Sequence, residues 1–146
     1  MLQYSNKRPL LTDFINFLFE TKDHFDIPLD QKVNIINYAY KLYNNASFIV
    51  CKDDETIVGV ICCYMNRPPS GYISHVCVSN KFQGQGIFSE MFKLLEEQAK
   101  LSNIKEIQLE VGNQNNKAQK VYKNKGFILY KNLGDSFLMK KTINPN

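Results

Sequence analysis

Apolar positions in the first third of the chain repeat at helical spacing. Leu10, Leu11, Phe14, Ile15, Phe17 and Leu18 follow Pro9, a residue suited to a first helical turn, and predict a helix ending near Thr21. A polar loop over 22–29 carries His24, Phe25, Asp26 and Pro28. Asp30 then stands where a second helix needs a cap, with Val33, Ile36, Tyr40 and Tyr43 on the apolar face and an end at Asn44 and Asn45. Three strands come next, over 47–51, 56–65 and 72–78. Asp53 and Asp54 form the first turn between them, and Arg67, Pro68, Pro69, Ser70 and Gly71 the second. Turns this short predict an antiparallel meander.

Beyond Val78 the pattern changes character. Residues 79–82 lead into Gln83, Gly84, Gln85 and Gly86, and a helix is predicted over 87–101. Its inner stripe is Ile87, Met91, Leu94, Leu95, Gln98 and Ala99, with Glu96, Glu97 and Lys100 outside. Residues 104–111 alternate as a strand. Asn115 or Asn116 opens another helix through Lys123, Gly126 ends it, and 127–130 and 137–140 are closing strands. A strand, a helix and a further strand in that order force parallel pairing across the glycine-rich loop. The whole chain, 1–146, reads as a single α+β domain with a mixed central sheet flanked by helices.

Composition removes several classes. Hydrophobic residues at 44% and charged residues at 22% are ordinary for a globular chain and too apolar for disorder. The apolar run 57–65 is far short of the ~20 residues that span a bilayer, so no membrane segment is expected. The N-terminus shows no secretory pattern, and a cytoplasmic location with reduced thiols is the expectation. Cys51, Cys62, Cys63 and Cys77 lack C-x-x-C spacing; Cys62 and Cys63, adjacent on a strand, face opposite ways. All four read as small core residues, with no metal site. The net charge of +4 is mild. Lysines thicken after Asn116, at Lys117, Lys120, Lys123, Lys125, Lys131, Lys140 and Lys141. That reads as a solvated face or as a basic rim for a polyanionic small molecule, and no nucleic-acid partner is expected.

Gly84 and Gly86 lie between a strand and a helix, where backbone N–H groups converge on the positive end of the helix dipole. Glycine accepts φ > 0 and, lacking Cβ, lets phosphate oxygens reach the main chain. A plain tight turn would use the same residues. The P-loop pattern fails for want of Gly-Lys-Ser/Thr at its spacing. A dinucleotide fingerprint would need glycine at Ser89, although Glu110 sits at a later strand end where a ribose-binding acid belongs. The third reading is a pyrophosphate loop for coenzyme A.

The third reading coincides with a resemblance. Residues 81–86, with Lys81 at the first position, resemble the Q/R-x-x-G-x-G/A motif of the GNAT superfamily of acyl-CoA N-acyltransferases. His75 to Val78 resemble the apolar strand that ends at this loop. The stretch 115–127 is similar to the family's N-x-x-A-x-x-x-Y-x-x-x-G-F signature, matched at Asn115, Ala118, Tyr122, Gly126 and Phe127. The resemblance covers about residues 56–130. The N-terminal part is similar only in its pair of helices, and the family's first strand is not evident in Leu2 to Tyr4.

The resemblance implies a splayed strand pair holding the cofactor, with a bulge in the strand at 72–78, the strand at 104–111 as its partner, and the pantetheine arm bonded to strand backbone. Val76, Cys77 and Val78 would make those main-chain contacts, one N–H polarising the thioester carbonyl. Gln83, Gly84, Gln85, Gly86, Ile87 and Phe88 would hold the pyrophosphate, with Ser89 adding a hydroxyl. Asn115 would bond the pantetheine region as well as cap its helix, and Tyr122 would protonate the departing thiolate, its plain alternative being a buried aromatic.

The amine must attack as a free base, and an alkylammonium of pKa near 10.4 costs roughly 4–5 kcal/mol to deprotonate at neutral pH. Glu110, at the end of the strand at 104–111, is one candidate base and His75 another, each also with a plain surface or core reading. Tyr72 cannot be a strong base at neutral pH, and His24 with Asp26 lie in the loop where the resemblance implies the acceptor pocket, a plain surface loop being the alternative. The implied activity is acetyl transfer from acetyl-CoA, as cosubstrate, to a primary amine of a small molecule by direct attack in a ternary complex. An amino sugar is favoured on overall likeness alone, and a homodimer is compatible. The alternatives are a nucleotide-binding module of dinucleotide type and a CoA-binding domain without catalysis.

Overall fold

Strand β4 (Ser70–Val78) buries every second residue, among them Ile73, His75 and Cys77, in the computed structural model, whose described residues are 1–144. Around it lie β1 (Leu2–Ser5), β2 (Ser47–Asp53), β3 (Thr56–Arg67), β5 (Glu106–Gly112), β6 (Ile128–Asn132) and β7 (Ser136–Thr142). Together they form a seven-stranded mixed sheet in the order β1-β2-β3-β4-β5-β7-β6. The pairs β1–β2, β2–β3, β5–β7 and β6–β7 are antiparallel, and β4–β5 is parallel, as the crossover demands. The parallel register joins Ser70, Gly71 and Tyr72 to Glu106, Ile107 and Gln108. The helices are α1 (Leu11–Glu20), α2 (Leu29–Lys32), α3 (Ile35–Asn45), α4 (Ile87–Leu101) and α5 (Asn116–Asn124), giving an α+β fold.

The chain divides into two compact units, Met1–Cys63 with His75–Leu95, and Tyr64–Ser74 with Glu96 onward. In the first, α1 and α3 bury Phe14, Phe17, Leu18, Ile35, Ala39 and Leu42. Phe14 meets Phe48 of β2 edge-on at 4.9 Å between ring centres. Ile87, Met91 and Leu95 recur four apart on α4 and are buried as one stripe, to which the structure adds Phe92. Gly59 of β3 sits beneath that helix, where a Cβ would come within 3.1 Å of Met91 Cε and 3.2 Å of Ile87 Cγ2; glycine there permits the close approach. In the second unit, β5 turns Ile107, Leu109 and Val111 inward and Glu106, Gln108 and Glu110 to the other face.

Three sequence expectations need correction. A first strand does exist: β1 pairs with β2, Tyr4 opposite Cys51, and its half-buried Leu2 and Tyr4 alternate with exposed Gln3 and Ser5 over only four residues, too short a run to stand out in the sequence. Pro9 lies ahead of α1, whose cap position is Leu10. The second helix is broken: α2 is a single turn ending at Lys32, Val33 is extended, and Asn34 rather than Asp30 caps α3, accepting a bond from Asn37 N at 3.0 Å.

Candidate active site

Between β4 and α4 the chain makes a 3-10 turn, Asn80–Phe82, and then the glycine loop. Gln83 is spent on its own neighbourhood: its Nε2 donates to Val78 O at 3.3 Å and to Asn80 Oδ1 at 3.1 Å. Gly84 and Gly86 have φ of +81° and +76°, the region that favours glycine. A Cβ at either would meet no atom within 4 Å, so the main chain is open on that side. The loop ends where Glu90 N–H donates to Gly86 O at 3.1 Å, opening the 15 residues of α4. The N–H groups ahead of that bond point along the helix axis at its positive end. This is an exposed, positively polarised stretch of backbone, the kind of helix start at which anions bind. The Ile87 side chain is buried against Gly59, and the half-buried Phe88 ring packs 5.8 Å from Phe92.

Just upstream, Val76, Cys77 and Val78 complete β4. Val76 and Val78 are half-buried and Cys77 is buried. Burial pushes the Cys77 thiol up to about 11, against a hydrogen bond with Thr21 that pulls the other way. All four cysteines are buried and free, in agreement with their reading as core residues. His75, also buried, has Nδ1 3.2 Å from Tyr38 Oη, and its Nε2 has no hydrogen-bond partner. Desolvation first, then Lys32, holds its imidazole down to about 4. A base that weak would be hard to protonate at neutral pH, which argues against His75 as the general base. His24 is tied instead to Asn80, whose backbone N–H donates to its Nε2 at 3.2 Å.

In the second unit the signature residues are arranged by helix ends. Asn115 caps α5, its Oδ1 accepting from Ala118 N at 3.1 Å. At the other end Phe127 N–H donates to Tyr122 O and Gly126 N–H to Lys123 O, both at 3.0 Å, with Gly126 at φ +96°. That is a Schellman motif, and its characteristic apolar contact is the Tyr122 ring edge-on to Phe127 at 5.7 Å. The spacing Y-x-x-x-G-F is thus the minimum that fixes a phenol over a helix end. Burial pushes the Tyr122 hydroxyl up to about 12.

Glu110 is exposed and accepts from Ser136 Oγ at 3.0 Å. It adds to the burial that raises the Tyr72 phenol. Sequence reasoning passed over its neighbours on the same face. Glu106 accepts from Ser70 Oγ at 2.9 Å and Gln108 Nε2 at 3.0 Å and lies 3.7 Å from Lys140 Nζ. The alternation of polar residues along β5 was the available signal. Among the described residues, no group of three or more His, Cys, Asp or Glu could hold a metal ion, and no helix is long and apolar enough to cross a membrane.

Solved structures share this architecture over nearly the whole chain. PH1933 from Pyrococcus horikoshii OT3 superposes with a TM-score of 0.81 at 24% identity, covering 99% of each chain. The PaiA N-acetyltransferase from Thermoplasma acidophilum, solved in complex with coenzyme A, gives 0.76 at 15% identity, covering 97% of this chain and 99% of that one. The model of the Acetyltransferase (GNAT) family matches residues 11–127, and the chain belongs to that family, which uses acetyl-CoA. Over 76 residues, half of this chain, it is 32% identical to GCN5-related N-acetyltransferase 6, chloroplastic, of Arabidopsis thaliana, and it spans 26% of that relative's length.

Proposed function

We propose that this chain transfers acetyl from acetyl-CoA to a primary amine of a small molecule by direct attack. The observation that carries the reading is the glycine loop: two residues at φ near +80°, open on the Cα side, at the head of a long helix. Gln85, Gly86 and the first turn of α4 would hold the pyrophosphate, and the backbone of Val76, Cys77 and Val78 the pantetheine arm. Acetyl-CoA supplies an acetyl group on a thioester; the amine nitrogen bonds to its carbonyl carbon as the carbon–sulfur bond breaks. One proton leaves the nitrogen and one reaches the sulfur.

Tyr122 is the residue assigned to the sulfur. With its phenol near 12 and an ordinary thiol near 8.5, complete transfer of its proton is uphill by roughly three to four pKa units. The hydroxyl therefore acts as a hydrogen-bond donor that is protonated throughout the physiological range and steadies the departing thiolate, which takes its proton from water. Glu110, exposed and held by Ser136, is the carboxylate assigned to receive the amine proton through water. An amino sugar is the favoured acceptor, supported only by likeness to family members that act on them.

Thermal unfolding with acetyl-CoA, NAD and ATP at equal concentration tests the reading, because a ligand that binds only the folded state raises the melting temperature. Acetyl-CoA should stabilise wild type most, and Gly86→Val should weaken that effect at least tenfold in affinity through a Cβ at positive φ. Stabilisation by NAD alone would hand the site to a dinucleotide instead.

A further inference from the structure

The chain has two histidines, and both touch the loop 22–28. We propose that this loop is a pH-sensitive clasp on the segment leading to the glycine loop, shut by neutral His24 and released at that end when the imidazole takes a proton. A backbone N–H can only donate. With Asn80 N–H 3.2 Å from His24 Nε2, that nitrogen must offer a lone pair, so the ring carries its proton on Nδ1. A second proton would set donor against donor, and the bond would be lost.

The loop's other anchor does not titrate in the same range. Phe25 lies 5.3 Å from the ring of His75, which stays uncharged down to about pH 4. Release on mild acidification is therefore confined to the His24 end. The hollow beside His24 is lined by Glu20 from α1, by Asp53 and Asp54 from the turn between β2 and β3, and by Lys81 from the turn after β4. The loop itself adds Lys22, Asp23 and Asp26, with Lys22 Nζ held 3.2 Å from Asp30, and Lys32 of α2 acts on His75. An imidazole is the side chain whose ordinary titration range lies nearest neutrality, apart from the ranges of carboxylates and ammonium groups. The effect reaches the site because Asn80 Oδ1 also receives Gln83 Nε2 at 3.1 Å, one residue before Gly84. The clasp rests on the loop's own contacts and not on acetyl transfer.

Amide hydrogen exchange of the full chain by NMR, corrected for intrinsic rates, tests it between pH 7.5 and 5.5. The Asn80 amide should be protected at pH 7.5 and lose at least tenfold protection at pH 5.5, while Val60 and Ile61 in β3 keep theirs and report an intact fold. His24→Gln, whose side-chain oxygen accepts the same N–H without titrating, should hold protection level across the window. An Asn80 amide unprotected at pH 7.5, protection independent of pH in wild type, or an equal loss in His24→Gln would each overturn the proposal.

Discussion

The first unit carries nine Asp and Glu against eight Lys and Arg, and the second five against ten, so the excess positive charge belongs to the second. Their interiors differ as well. Helices α1 and α3 of the first seat six fully buried apolar side chains, whereas α5 of the second buries none and β6 is exposed at every residue. The first unit is held by area removed from water and by close packing. The second has a core of its own at Ile107, Leu109, Val111, Phe127 and Met139, and adds directional devices: the Asn115 cap, the Schellman turn at Gly126, and ion pairs such as Lys141–Glu96 at 3.1 Å. The first unit carries the glycine loop, and the more basic second unit carries Tyr122, Glu106 and Glu110.

The largest expected effect lies in the first unit. Phe14→Ala empties a fully buried site against Phe48 and should lower stability by about 3–5 kcal/mol in denaturant unfolding. A loss under 1 kcal/mol would mean that this core is loosely packed. Acid comes next. His75 binds its proton near pH 4 when folded and near 6.5 when unfolded, so between those values the unfolded chain holds a proton the folded chain refuses. Stability is therefore level above pH 6.5 and falls as pH drops toward 4, by about 3 kcal/mol at full extent. Urea melts at pH 7 and pH 4 should show this drop in wild type and a much smaller one in His75→Phe; equal drops would discharge His75 from the role.

In the second unit, Tyr122→Phe removes one donor and keeps the ring on Phe127. Its kcat should fall by about 10²-fold, or about 2.7 kcal/mol of barrier, with acetyl-CoA affinity near wild type. A single-turnover rate within about threefold of wild type would return Tyr122 to a packing role. Smallest of all, Val121→Ala beside it, 36% exposed, should change stability by no more than about 0.5 kcal/mol. A larger loss would show that Val121 packs more closely than its exposure implies.

Local signals were legible in the sequence. Strong periodicity placed α4, the two glycines declared their positive φ, and Asn115 with Gly126 marked both ends of α5, because each of these is decided within a few residues. What escaped was decided at a distance. Strand β1 exists because Tyr4 pairs with Cys51, far along the chain. Asp30 lies inside the single turn of α2 with its carboxylate 3.2 Å from Lys22 Nζ, eight residues back, while Asn34, past the break at Val33, caps α3. The contacts of His24 with Asn80 and of His75 with Tyr38 join residues 56 and 37 positions apart, and no local pattern encodes them.

The buried cysteines have a practical consequence at the bench. Thiols react as thiolates, and burial holds Cys51, Cys62 and Cys77 above their ordinary value, Cys62 well above it. At pH 7, Cys77 with its value near 11 is ionised on the order of one part in 10⁴. Maleimide offered to the folded chain should therefore pass over the native sulfurs and couple to a cysteine engineered on the surface. Dyes or spin labels can be attached at chosen positions with the native core intact, and distances followed in the protein as it stands.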